Sequence, residues 1–291
     1  MKASRVYNFS AGPGTLPLPV LQRAQDELLG LPGLGMSVLE ISHRSEPFER
    51  IMSSAQNNLR ALLDLPRDYH ILFLQGGATL QFSMVPMNLL RGTGKRADYV
   101  VAGTWGKKAV TEARREGEVR VLWDGETEEF TRMPRRDEWQ PDSEAAYVHI
   151  TSNETIQGLQ LQWEPESAPA PLVCDLSSDF LSRPIEAEHY ALIYAGAQKN
   201  AGPAGVTVVI VREDLLERVP SGLHTLLDYG VHAAQDSMHN TPPVFSIYMV
   251  NLVTEWLLQE IGGVGKMGGL YVERAGRRSR AIGGSEGVLR G

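Results

Sequence analysis

Apolar residues recur along this chain in two rhythms, and the change comes near residue 69. Before it the period is helical. Val20, Leu21, Ala24 and Leu28 share one face of a helix that Gly30 stops, and Phe48, Ile51, Met52, Ala55, Leu59, Leu62 and Leu63 form a longer stripe ended by Pro66. From Tyr69 the texture turns to short apolar runs broken by Gly-containing turns. These runs predict strands at Ile71–Leu74, Tyr99–Ala102, Val119–Trp123, Tyr147–Ile150, Leu172–Leu176, Ala191–Ala195 and Val206–Val211. Several lack polar alternation, as strands covered on both faces of a mainly parallel sheet do. Helices are predicted between them at Ala78–Leu90, Trp105–Glu116 and Glu213–Val219, and Pro243 opens a long one through Val244, Ile247, Tyr248, Leu252 and Trp256. The fold class is therefore α/β.

Two segments depart from these rhythms. Asn8-Phe9-Ser10-Ala11-Gly12-Pro13-Gly14 is dense in turn formers and reads as a loop, so residues 1–15 are expected to form an irregular N-terminal segment before a large domain over 16–261. After Ile261 glycine fills ten of the last thirty positions, with basic residues at Arg274, Arg277, Arg278 and Arg280. That density weakens any helix over 262–291, and the piece is too short to make an independent domain.

Composition narrows the function classes. With 42% hydrophobic residues and a single cysteine, disorder and a disulfide scaffold are excluded. A formal charge of −7 argues against general nucleic-acid binding, so an anionic ligand needs local cations or backbone N–H groups. No apolar run approaches the ~20 residues of a membrane helix, and Met1-Lys2-Ala3-Ser4-Arg5 lacks a signal-peptide core. The expectation is a soluble cytoplasmic protein with no membrane and no nucleic-acid partner. Cys174 has no second cysteine for a disulfide or a multi-cysteine zinc site, and no metal is expected.

The candidate chemistry lies at strand-to-loop junctions. Gln75-Gly76-Gly77-Ala78-Thr79 follows an apolar run and precedes a helix, where free N–H groups can hold a phosphate, although a plain tight turn explains such a sequence about as well. No Gly-x-Gly-x-x-Gly follows a strand, and Gly265-Lys266-Met267 is not a P-loop. Lys199 stands among small residues, Ala195-Gly196-Ala197-Gln198-Lys199-Asn200-Ala201-Gly202, directly after a buried strand. A desolvated lysine has a lowered pKa and can condense with an aldehyde, whereas a surface lysine on a glycine-rich turn is the plainer reading. Asp175 ends another apolar strand, where capping is the commoner role for Asp. Beside a reactive lysine and a phosphate turn it becomes a partner for a protonated pyridine nitrogen.

Together with Ser42-His43-Arg44, Asn153-Glu154-Thr155-Ile156, Asp175-Leu176-Ser177-Ser178 and His239-Asn240-Thr241-Pro242-Pro243, these motifs occur in an order that closely resembles the phosphoserine aminotransferases, from about Asn8 to about Val264. Those enzymes use pyridoxal 5′-phosphate (PLP) and belong to the fold type I, class V aminotransferases. The resemblance implies a large PLP-binding domain with a mainly parallel central sheet and the start of a truncated C-terminal small domain over 262–291. It implies that Lys199 carries the cofactor, that Asp175 faces the pyridine nitrogen and that Trp105 stacks on the ring. Thr155 would bond the ring hydroxyl, while Ala78, Thr79 and Gln198, with Asn240 and Thr241 from a second subunit, would hold the phosphate. His43 and Arg44, also across a dimer interface, would bind substrate, with Ser10 in the loop lining the site.

The activity so implied is transfer of an amino group between phosphoserine and 2-oxoglutarate, giving 3-phosphohydroxypyruvate and glutamate in serine biosynthesis (EC 2.6.1.52), by a homodimer with shared sites. Two other readings stand beside it, another class V aminotransferase and a PLP-binding but catalytically incomplete homologue. A cysteine desulfurase is disfavoured because Cys174 falls inside a buried strand. Family members carry a substrate-carboxylate arginine in the C-terminal domain, and no arginine in the tail matches it. Poor turnover by the 291-residue chain is the resulting expectation.

Overall fold

All seven apolar runs become strands of one sheet. The structure, a computed structural model, describes residues 5–166 and 168–283. In chain order the sheet strands are β1 (Tyr69–Leu74), β2 (Arg96–Val101), β3 (Glu118–Asp124), β4 (Val148–Thr151), β7 (Leu172–Asp175), β8 (Leu192–Gly196) and β9 (Thr207–Arg212), and β5 (Asn153–Glu154) pairs with β6 (Leu159–Gln160) in a separate small hairpin. Across the sheet the order is β1-β9-β8-β7-β4-β2-β3. Pairing is parallel from β3 through β8, while β9 runs antiparallel to both its neighbours. The mainly parallel sheet is as expected.

Helices cover both faces because alternate strand residues point to opposite sides. Ile71, Phe73, Val208 and Ile210 belong to the core shared with α1 (Leu18–Glu27), α2 (Glu46–Leu63) and α7 (Val244–Trp256). Leu72, Leu74, Val209 and Val211 face the core of α3 (Gly77–Leu89) and α4 (Thr104–Ala113). The α2 stripe is fully committed: Phe48, Ala55 and Leu59 have no exposed surface, and burial of such a Phe or Leu side chain stabilises by roughly 1.5–3 kcal/mol. Two short helices, α5 (Glu213–Leu216) and α6 (Tyr229–Ala234), flank β9 and β1. Among the described residues no helix is long and apolar enough to cross a membrane.

The glycine-rich tail differs from expectation. Val264–Gly283 forms one helix, α8, despite Gly265, Gly268, Gly269 and Gly276. It is entered through a π-helical turn at Leu257–Ile261 and through Gly262 and Gly263, whose φ values of +85° and +99° suit glycine and whose N–H groups both reach the Leu257 carbonyl. Tertiary contact offsets the glycine cost. Met267 is buried, Leu270 and Tyr271 pack on the α2/α7 core, and the Tyr271 hydroxyl donates to Asn200 Oδ1 at 2.5 Å.

A methyl group at Gly269 would meet no atom within 4 Å. Gly269→Ala is therefore expected to stabilise α8 by up to about 1 kcal/mol, seen as slower amide exchange in the helix with no loss of melting temperature. Faster exchange would contradict the docked helix.

Candidate active site

The parallel strands point their C-terminal ends to one side of the sheet: Thr151 and Asp175, the last residues of β4 and β7, pair with each other, Asp175 lies opposite Tyr194, and β8 runs two residues further to Gly196, opposite the start of antiparallel β9 at Thr207. Ligands of open α/β sheets bind beyond such ends. Here the loops enclose a cavity of about 320 Å³. One wall is the start of α3. Gly76 and Gly77 turn the chain with φ of +89° and +68°, and a Cβ at Gly76 would overlap Leu80. The helix opens with no side-chain cap, so its first N–H groups, at Ala78 and Thr79 on the cavity wall, are available to an anion.

Asp175, the last residue of β7, lines the cavity and is 4% exposed. Its Oδ1 accepts the Ser177 N–H at 2.8 Å. Burial raises its pKa, with the Ser177 hydrogen bonds and Lys199 pulling the other way. Behind it the layer is aromatic and neutral. His149 Nε2 lies 2.7 Å from the Tyr194 hydroxyl, the imidazole stacks on Tyr99, and burial pushes the His149 pKa down to about 3.

Lys199 leaves β8 three residues beyond Gly196. Its amine donates to Thr155 Oγ1 at 2.5 Å and Ser178 Oγ at 2.8 Å and stands 5.5 Å from the centre of the Trp105 ring. Burial lowers its pKa, partly offset by Asp175, Glu154 and Asp179. The N-terminal loop closes over the lysine: Gly14 N–H donates to the Gln198 carbonyl at 2.7 Å, and a Cβ at Gly14 would stand 2.3 Å from the Lys199 carbonyl oxygen. Only glycine fits that approach.

Sequence reasoning missed Glu154. This carboxylate has no exposed surface and accepts the N–H groups of Trp105 at 2.9 Å and Gly106 at 2.7 Å, fixing the first turn of α4 under the indole. Gly103 and Gly106 make room for it, since a Cβ at Gly103 would fall 2.7 Å from Glu154 Cδ. The motif Asn153-Glu154-Thr155 was visible, but its partner segment lies 49 residues away.

Of the residues expected at the site, Ala78, Thr79, Trp105, Thr155, Asp175, Gln198 and Lys199 all line this cavity. Ser10 does not. It is exposed, with its N–H on Asn8 Oδ1, and its neighbours Ala11 and Gly12 reach the cavity instead. His43 and Arg44 occupy the turn before α2, and Asn240 and Thr241 lie beside Gln75, all outside the cavity lining. The lining suits an anionic, planar heteroaromatic group. It offers uncapped helix N–H groups for a phosphate, a buried carboxylate, an indole face, and buried Thr151 Oγ1 and Trp105 Nε1 atoms that have no protein partner. Among the described residues no cluster of metal-binding side chains is present.

The class-V aminotransferase family model matches residues 6–266. The chain belongs to the class-V aminotransferases. The phosphoserine aminotransferase of Laribacter hongkongensis is 53% identical over 98% of this chain and 79% of its own length. Among solved structures, that of the phosphoserine aminotransferase from Bacillus circulans subsp. alkalophilus superimposes with a TM-score of 0.93 at 46% identity, over 97% of this chain and 78% of that one. The PLP-bound phosphoserine aminotransferase of Trichomonas vaginalis gives 0.87 at 42%, over 96% and 82%. PLP is the cofactor of class-V aminotransferases, and the residues lining the cavity fit it.

A buried carboxylate of raised pKa favours the folded state when protonated, so its contribution declines as pH rises through the ordinary carboxylate range toward the folded value. In the cofactor-free protein Asp175→Asn, which stays neutral, is expected to raise the melting temperature at pH 7–8, with the gain shrinking as pH falls toward about 4. A gain independent of pH would show that burial of the charge is not its source.

Proposed function

We propose that this chain is a PLP-dependent aminotransferase that moves an amino group between phosphoserine and 2-oxoglutarate, giving 3-phosphohydroxypyruvate and glutamate in serine biosynthesis. The observation that carries the proposal is the pairing, in one cavity, of the half-buried Lys199 amine with the buried Asp175 carboxylate, in a chain about half identical to phosphoserine aminotransferases. When bound, PLP supplies an electron-withdrawing ring that stabilises the charge left on the substrate Cα as its proton departs.

The chain's own groups supply the rest. Ala78 and Thr79 would hold the phosphate through the start of α3, with Gln198 beside them. Asp175 would keep the ring nitrogen protonated, Thr155 would bond the ring hydroxyl, and the Trp105 indole would cover one face, held by Glu154. The Lys199 amine, with its lowered pKa, can take the Cα proton and return it as a general acid–base.

No arginine lines the cavity among the described residues, so a clamp for the substrate's anionic groups comes from elsewhere. A second copy supplies one clamp in this reading, His43 and Arg44 for substrate, with Asn240 and Thr241 for the phosphate, in a cytoplasmic homodimer with shared sites. The substrate carboxylate still lacks its family arginine, so turnover by these 291 residues is expected to be low. The exposed apolar side chains Tyr7, Phe9, Leu29 and Leu39, the last of them four residues before His43, support such an interface.

The test is glutamate formation from phosphoserine and 2-oxoglutarate, with borohydride trapping of bound PLP. Trapping is expected on Lys199 alone, and Lys199→Ala should abolish it and lower turnover by about 10²–10⁴-fold or more. An adduct on another lysine, or full turnover by Lys199→Ala, would overturn the assignment. Cofactor affinity should also fall on dilution through the dimer range in sedimentation measurements. Tight PLP binding by a monomer would refute the shared site.

A further inference from the structure

The turn after β7 brings a hydroxyl to Lys199 that none of the roles above uses. Ser178 lines the cavity, its Oγ stands 2.8 Å from Lys199 Nζ, and it lies 2.5 Å from Thr155 Oγ1. The amine, Thr155 and Ser178 thus form a closed triangle of polar atoms. Thr155 has a prospective partner in the ring hydroxyl of PLP, whereas Ser178 bonds only the amine and Thr155 itself.

Ser178 is held from both sides. Ser177 donates its N–H to Asp175 and accepts the Gly196 N–H at 3.0 Å. Asp179, 5% exposed, accepts from Ser152 at 2.5 Å and Gln160 at 3.0 Å and stands 3.7 Å from Arg183. A hydroxyl between two such anchors is fixed in place, which a surface serine is not.

We propose that Ser178 is a positioning residue for the Lys199 amine, holding it at the cavity wall whenever it is not bonded to cofactor, so that it stays aimed at the reacting carbon as acid and base. This rests on the assignment of Lys199 as the cofactor lysine. Once Thr155 turns to the ring hydroxyl, Ser178 is the acceptor that keeps a free ammonium from swinging toward Asp175, Glu154 or Asp179, the buried carboxylates that also attract it.

An accepting hydroxyl favours the charged amine, so removing it should make the amine lose its proton more readily. The test uses the cofactor-free dimer, measuring the rate of PLP condensation, trapped with borohydride and mapped by mass spectrometry, as a function of pH. Ser178→Ala is expected to move the midpoint of that profile down by about 0.5–1 pH unit while lowering the high-pH plateau several-fold, because the amine is freer but less well aimed. Ser178→Thr, which restores the hydroxyl, should return the midpoint to the wild-type value. Ser178→Cys, with a weaker acceptor of similar size, should fall between and serves if the alanine variant is unstable. A lower plateau with an unmoved midpoint in the alanine and cysteine variants would reduce Ser178 to a packing role and overturn the proposal. An adduct on a lysine other than 199 would instead overturn the assignment on which it rests.

Discussion

Burial opposes the charged form of two groups of opposite sign, Lys199 and Asp175, that share one cavity, and the site is organised around that conflict. Each partly relieves the other, but neither is neutralised by a direct ion pair, which would tie up the amine. The hydroxyls of Thr155 and Ser178 accept hydrogen bonds from the amine instead, and a backbone N–H serves the aspartate. Such a balance persists only in a rigid surround, because a displacement of an ångström would let water or a counter-charge settle it. Paired strand ends, the neutral aromatic layer of Tyr99, His149 and Tyr194 on β2, β4 and β8, and glycine at close approaches provide that rigidity.

Stability and chemistry therefore compete along this edge. The core on either side of the sheet is dense and apolar, with Tyr147, Tyr194 and Tyr229 fully buried. The polar atoms left without protein partners include Trp105 Nε1 and Thr151 Oγ1, at the cavity. These are donors and acceptors that a group seated in the cavity could pair.

The legible and illegible parts of the sequence divide by the range of the interactions involved. Strands buried on both faces write themselves as continuous apolar runs, which is why all seven were readable, and Lys199 and Asp175 stood out because ionisable residues rarely follow such runs. The two-residue strands β5 and β6 carry no period to detect. Glu154 escaped because its role is defined by N–H groups 49 residues away. The α8 helix escaped because glycine content reports local propensity, whereas Met267 and Tyr271 supply a tertiary gain that no window on the tail contains. His43, Arg44, Asn240 and Thr241 were singled out by motif, yet one folded chain leaves them outside its own cavity.

The antiparallel course of β9 shapes the lysine's freedom. Because β8 and β9 pair antiparallel, Ala197–Val206 is a hairpin loop whose ends are stitched together by the ladder from Gly196 and Thr207 inward. A parallel β9 would have required a crossover of a dozen or more residues, with Lys199 on a long wandering connection. Closing so short a loop removes chain entropy once, during folding, rather than at each turnover. The lysine can exchange bonding partners by rotating its own side chain, while the backbone that carries it stays still.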